Sequence, residues 1–352
     1  MRLTMMAAVA AALLLPPAAH AQDAAASGDD LRFAVPDTVS AEAKAMLAPG
    51  LAAQRKARPQ RLLVGADFYQ ARALAEQGAD ERMAAAATRY AVTGVRETLG
   101  GVPVLRLTPR DAAKDGRILL FVHGGGWTTG SAKSGFRNAA IFAAATGLEV
   151  VSVDYELAPA QDFRGVTGQV AAVYRALLGQ GHKAPQIGLF GDSAGGNIIL
   201  GTTLRLRDEG QALPGAIVAL SPCTDLGAGG DTRLTLAGAD PVLDVPEMLA
   251  ASRTAYAGKD VAAGMLNPWA SPVRGDYSRP FPPTLIQGGT RDLLLSDFVR
   301  QYQAMRGAGR EAVLDLYEGM PHVFMGYLAD APEGKQAIAT ARDFLLTRLA
   351  KD

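Results

Sequence analysis

The chain has 352 residues, enough for one large domain or two ordinary ones with a sizeable core. Lys+Arg and Asp+Glu each total 35, so no charge excess points to a nucleic acid or an anionic membrane surface as partner. The single cysteine, Cys223, excludes an intramolecular disulfide, and its apolar neighbours in "VALSPC" suit a small core filler.

The first 21 residues read as a secretory signal peptide. Arg2 is a short positive start, "MMAAVAAALLL" (5 to 15) is an apolar run, and "AHA" (19 to 21) has a small-x-small cleavage pattern. A bilayer span needs about 20 apolar residues, so this run predicts export with cleavage after Ala21 and no stable membrane insertion. No cysteine follows the run and no twin-arginine pair precedes it, which excludes a lipoprotein and fits general secretory export. The product is periplasmic or extracellular. "AQDAAASGDD" holds no apolar residue larger than alanine, and residues 22–30 are expected to be a flexible tether.

Residues 31–90 are rich in Ala, Arg, Glu and Gln, with "SAEAKAMLA" and "ADERMAAAATRYA" predicted as helices and Ser40 as an N-cap. From about residue 91 the pattern changes. "AVTGVRETL" and "VPVLRLTP" read as a hairpin. Strand-like runs then alternate with helical segments: "ILLFV" (118 to 122), "LEVVSV" (148 to 153), "QIGLF" (186 to 190), "AIVALS" (216 to 221), "TLIQ" (284 to 287) and "AVLDLY" (312 to 317). Runs apolar on both faces, separated by helices, predict an α/β fold with a mostly parallel sheet covered on both sides. Residues 223 to 282 break the alternation. So long a loop without structure is improbable, so residues 226–282 are expected to contribute an inserted cap segment, helical around 246 to 257.

Two motifs carry chemistry. "GDSAGG" (191 to 196) stands between a strand-like run and a helical one, a setting that lifts Ser193 onto a strained turn at a helix head. There the free N–H groups and partial positive charge of the helix N-terminus are close. "HGGGW" (123 to 127) follows the strand "ILLFV". Glycines let backbone N–H groups turn toward a negative oxygen, and a loop of this type with the N–H after the nucleophile forms an oxyanion hole. The expected donors are Gly124, Gly125 and Ala194. The glycine spacing does not match a phosphate or dinucleotide loop. Trp127 either lines a substrate cleft or packs the loop.

A serine nucleophile needs a base, and four histidines allow elimination. His20 leaves with the signal. His182 lies before the strand that leads to Ser193, roughly 16 Å away at about 3.3 Å per residue, and reads as a solvated loop residue. His123 and His322 both lie at the correct sheet edge. Where such a serine heads a helix after a central strand, the triad runs Ser, acid, His, which selects His322 and makes His123 an orienting residue. Asp292 follows the strand "TLIQ" and is the preferred acid. Asp297 falls inside a helix, and Asp225 leaves the intervening strand.

"HGGGW" (123 to 127), "DYELAP" (154 to 159), "GDSAGGN" (191 to 197), "GTRDLLLSD" (289 to 297) and "GMPHVF" (319 to 324), in this order, resemble the hormone-sensitive lipase family of the α/β-hydrolase fold. The similarity covers roughly residues 31 to 350. It implies a serine carboxylesterase with a hydrolase domain over 86–352 and a cap made by the N-terminal helices and the inserted segment. It implies Ser193, Asp292 and His322 as the triad, with Gly124, Gly125 and Ala194 as oxyanion donors. A small ester with a short or medium acyl chain is the implied substrate, without metal or organic cofactor. Ala160 stands where the family often has an acidic residue, and Leu293 where a proline often follows the acid. A lactonase, acetyl-sugar esterase or amidase could run on the same triad. A non-catalytic binding relative would be expected to have a broken one. Nothing in the sequence specifies an oligomeric state.

Overall fold

The computed structural model describes residues 34–56, 66–227, 229–243 and 246–352. The expected signal peptide and tether lie outside the described residues. Eight strands form one sheet in the order β1-β2-β4-β3-β5-β6-β7-β8. β1 (Val92–Leu99) and β2 (Val102–Pro109) are the expected hairpin, and β2 is also antiparallel to β4 (Glu149–Val153). All other pairings are parallel: β4 with β3 (Ile118–Val122), β3 with β5 (Ile187–Asp192), then β6 (Ala216–Leu220), β7 (Thr284–Gly289) and β8 (Ala312–Tyr317).

Every residue of β3, β5, β6 and β7 is buried, as expected for parallel strands covered on both faces. Alternate side chains feed two cores. Ile118, Leu120 and Val122 pack with Val170 of α5 (Phe163–Gly179), Ile198 of α6 (Ala194–Asp208) and Phe298 of α10 (Leu295–Gly307). Leu119 and Phe121 face the other side, with Phe142 of α4 (Phe136–Thr146) and Ala341 of α12 (Pro332–Arg348).

Before the sheet come α1 (Ala41–Lys56), α2 (Ala66–Glu76) and α3 (Ala79–Tyr90). The N-cap expected at Ser40 is present, its Oγ accepting from the Ala43 N–H at 3.1 Å. Ala43, Leu47 and Leu51 of α1 are buried in the core shared with α12, and Ser40 donates to Glu333 through its N–H (2.7 Å) and Oγ (2.8 Å). The first helix is thus seated on the body formed by the sheet and its flanking helices. The division expected at residue 85 falls inside α3, which continues to Tyr90 because Ala86 is buried against the same core.

The segment between β6 and β7 contains the short turn α7 (Thr232–Thr235), α8 (Pro246–Ala257) and α9 (Val261–Leu266). The helix expected at 246 to 257 is therefore present. Its base is pinned by a buried charge pair. Asp297 is fully buried and accepts from Arg233 Nη2 (2.9 Å) and from the Thr224 (2.8 Å) and Asp225 (3.1 Å) N–H groups. Burial pushes the Asp297 carboxyl up to about 6, although Arg233 opposes this. Asp297→Ala would leave the Arg233 guanidinium without its counter-ion, holding the Gly227 and Asp225 carbonyls, and two buried N–H groups without an acceptor. Loss of one partner of a buried pair costs about 3–5 kcal/mol, so urea denaturation should show a fall in stability of that order.

Candidate active site

β5 ends at Asp192 and α6 begins at Ala194, leaving Ser193 between them at φ 56° and ψ −119°. This is a costly backbone for a residue with a Cβ, and the surrounding contacts enforce it. A Cβ on Gly195 would lie 1.9 Å from the Val122 carbonyl, and one on Gly191 would lie 2.7 Å from Gly195. The helix start can pass the sheet this closely only without side chains. The Ser193 N–H donates to the Leu220 carbonyl (2.8 Å), so its peptide is held by the neighbouring strand β6.

The Ser193 Oγ is 2.8 Å from His322 Nε2, and His322 Nδ1 is 3.0 Å from Asp292 Oδ2. The three sequence-chosen residues, 99 and more positions apart for the serine and either partner, therefore meet at hydrogen-bond range at the C-terminal ends of β5, β7 and β8. Asp292 is wholly buried and its second oxygen, Oδ1, accepts from the Leu294 N–H at 2.9 Å. Burial pulls the His322 imidazole down, but the carboxylates of Asp292, Asp240 and Asp192 outweigh it and raise the pKa above its ordinary 6.5.

The rival acids are occupied elsewhere. Asp225 pairs with Arg300 Nη1 (2.8 Å) and accepts from the Gly227 N–H (2.9 Å). Asp297 holds Arg233, as described. His182 is fixed more firmly than a solvated loop residue: its Nδ1 is 2.9 Å from the Gly116 carbonyl, a contact across 66 residues. His123 is the orienting residue expected, with Nδ1 2.8 Å from the Gly124 carbonyl and its ring stacked on Tyr155 at 4.3 Å. Burial lowers its pKa, so it stays a neutral imidazole at pH 7.

In the glycine loop, Gly124 lies against Asp192, where a Cβ would come 2.5 Å from the carboxylate, and burial raises that acid to about 6. The N–H groups of Gly125, Gly126 and Ala194 have no acceptor among the described residues. Gly125 has φ +113°, and a Cβ there would lie 2.2 Å from the Thr129 carbonyl. Gly125 and Ala194, two of the expected donors, are thus unengaged, as is Gly126.

Trp127 takes the packing role of its two expected alternatives. It is fully buried, its ring stacks on Tyr256 of α8 at 5.0 Å, and its Nε1 donates to Asn197 Oδ1 at 3.1 Å. Asn197 donates in turn to the Ala270 carbonyl (2.8 Å). The loop is also held at Thr128, whose Oγ1 is 3.1 Å from Ser252 Oγ of α8. Arg72 of α2 donates to the Thr128 (2.8 Å) and Ala158 (2.6 Å) carbonyls. Both the N-terminal helices and the inserted segment therefore grip the loop.

Asp192, Asn197 and Asp240 were not selected from sequence. Asp192 and Asn197 lie inside the quoted motif "GDSAGGN", which was a usable signal. Asp240 lies in no motif, although its carboxylate, that of Asp292 and the His322 ring bring their oxygen and nitrogen atoms within 4.8 Å of one another.

Residues 119–326 match the family described by an alpha/beta hydrolase fold. An acetyl-hydrolase of Streptomyces hygroscopicus is 34% identical over 238 residues, covering 68% of this chain and 78% of that protein. An esterase of Acinetobacter venetianus is 32% identical over 228 residues, covering 65% and 74%. Among solved structures, the esterase E25 superposes with a TM-score of 0.79 at 28% identity, over 90% of this chain and 96% of that one. A hormone-sensitive lipase from a metagenome library superposes with a TM-score of 0.78 at 28% identity, over 89% and 100%. With this sheet order, the serine turn at the end of β5 and these relatives, the chain belongs to the hormone-sensitive lipase family of α/β-hydrolases.

Proposed function

We propose that this carboxylic ester hydrolase is an exported serine esterase that cleaves esters of short- to medium-chain acids through an acyl-enzyme. The observation that carries this reading is the continuous relay from Ser193 Oγ to His322 Nε2 (2.8 Å) and from His322 Nδ1 to Asp292 (3.0 Å). His322 takes the Ser193 proton as Oγ attacks the ester carbonyl, forming a tetrahedral intermediate with a negative oxygen. The free N–H groups of Gly125 and Ala194, with Gly126 beside them, receive that oxygen. His322 then protonates the departing alcohol. A water enters, His322 removes its proton, and hydroxide attack on the acyl carbonyl releases the acid and restores Ser193. Asp292 holds the imidazole in the required tautomer and stabilises its charged form.

The grip of α2 and α8 on the oxyanion loop supports a restricted acyl site, as do relatives named acetyl-hydrolase and esterase. Export rests on the N-terminal sequence pattern alone. Among the described residues, no helix is long and apolar enough to cross a membrane. The complete relay weighs against a non-catalytic binding relative.

Hydrolysis of p-nitrophenyl esters from acetyl to palmitoyl should peak at short chains. Ser193→Ala should remove it, and an equally active variant would refute the serine mechanism. Asp292→Asn should lower kcat by about 10⁴-fold with the fold intact, because the imidazole loses its tautomer control. The base must be neutral to act, and its pKa is raised. Accordingly kcat/KM should be full at alkaline pH and fall as pH drops through an inflection above 6.5. A pH profile inflecting below that value would contradict the electrostatics of the site.

A further inference from the structure

Asp240 lies in the inserted segment, 52 residues before Asp292, and no step of the mechanism above uses it. Its side chain is wholly buried. Oδ2 accepts from the Leu293 N–H (3.3 Å) and the His322 N–H (3.2 Å), the first in the acid loop and the second in the histidine loop. Oδ1 accepts from the Val242 (2.9 Å) and Leu243 (3.2 Å) N–H groups of its own turn. One carboxylate thus joins three separate chain segments, two of which carry the proposed acid and base. On the outer side of this turn, a Cβ on Gly50 of α1 would lie 2.9 Å from Pro241, so the turn is wedged against the body.

Bringing a second carboxylate beside Asp292 costs free energy unless it is compensated. Four backbone donors compensate it here. The trio Asp240, Asp292 and His322 has the composition of a metal site, but His322 Nδ1 and Nε2 are engaged by Asp292 and Ser193. Both oxygens of Asp240 face N–H groups. The arrangement is that of an anchor.

Building on the esterase reading, we propose that Asp240 is a positioning residue: its ionised carboxylate ties the Asp292 and His322 loops together and adds a second negative charge behind the catalytic imidazole. The role requires a carboxylate. Four N–H donors converge on its two oxygens, and an amide would turn an NH2 group toward one pair of them. The charges around it have opposing effects. Burial and Asp292 push the Asp240 carboxyl up, to about 6, while His322 pulls it down. Tyr327 on α11 (Phe324–Tyr327) faces it as a neutral phenol, kept so by burial, and Asp192 acts on His322 from the end of β5.

The test compares wild type, Asp240→Asn, Asp240→Glu and Ser193→Ala on p-nitrophenyl acetate, with kcat and KM resolved from pH 5 to 9 and folding checked by circular dichroism and thermal melting. Misplacement of a catalytic group on the ångström scale costs up to roughly 10²-fold, so Asp240→Asn should lose about 10- to 100-fold in kcat with KM nearly unchanged. Its acid limb should also move to lower pH, because the imidazolium loses a stabilising anion. Asp240→Glu keeps the charge and should return the limb toward the wild-type position. It also serves as the folded comparison if Asp240→Asn melts early. A folded Asp240→Asn with wild-type kcat and acid limb would overturn the proposal, as would an Asp240→Glu whose limb moves as far as that of Asp240→Asn. Activity surviving in Ser193→Ala would instead overturn the esterase reading, independently of Asp240.

Discussion

The site depends on how closely α6 starts against the ends of β3 and β5. At Gly195 the gap to the Val122 carbonyl leaves no room for a Cβ. That close passage forces Ser193 into positive φ and raises its Oγ above the sheet edge. It also brings the loop after β3 beside the loop after β5, where a Cβ on Gly124 would lie 2.5 Å from the Asp192 carboxylate. A looser junction would let the serine relax to an ordinary turn and would separate it from the glycine loop.

Around this junction, binding is achieved with buried polar groups whose partners come from far along the chain. Trp127 donates to Asn197, Tyr155 Oη donates to the His123 carbonyl at 3.0 Å, and Arg72 reaches the carbonyls of Thr128 and Ala158. Each contact satisfies a group that burial would otherwise penalise, so each restricts the loop to one geometry. The catalytic edge also concentrates acids. Asp192, Asp240 and Asp297 are all held up to about 6 by burial. Such groups are retained against their desolvation cost, and two of them raise the basicity of His322.

The hydrolase body was legible in the sequence for physical reasons that are local. Strands buried on both faces must be short unbroken apolar runs, and all six predicted from "ILLFV" to "AVLDLY" are present. The serine turn was legible because glycines on either side of Ser193 mark a tight strand-to-helix reversal. Strand direction narrowed the histidines to His123 and His322, and the order Ser, acid, His along the chain singled out His322 and an acid between it and Ser193. By contrast, Trp127 was ambiguous because the same indole can line a cleft or fill a core, and only Tyr256, 129 residues later, decides between them.

Sequence by itself determined the fold class and singled out Ser193, His322 and Asp292, because strand period, glycine placement and chain order can all be read along the chain. Tertiary structure decided what stands against the glycine loop, since Asp192, 68 positions from Gly124, packs directly against it. It also decided that His182 is anchored and that Asp240 accepts from the Leu293 and His322 N–H groups. These outcomes depend on where separate loops come together and on which burial each carboxylate or imidazole then meets, and a linear pattern carries no record of either.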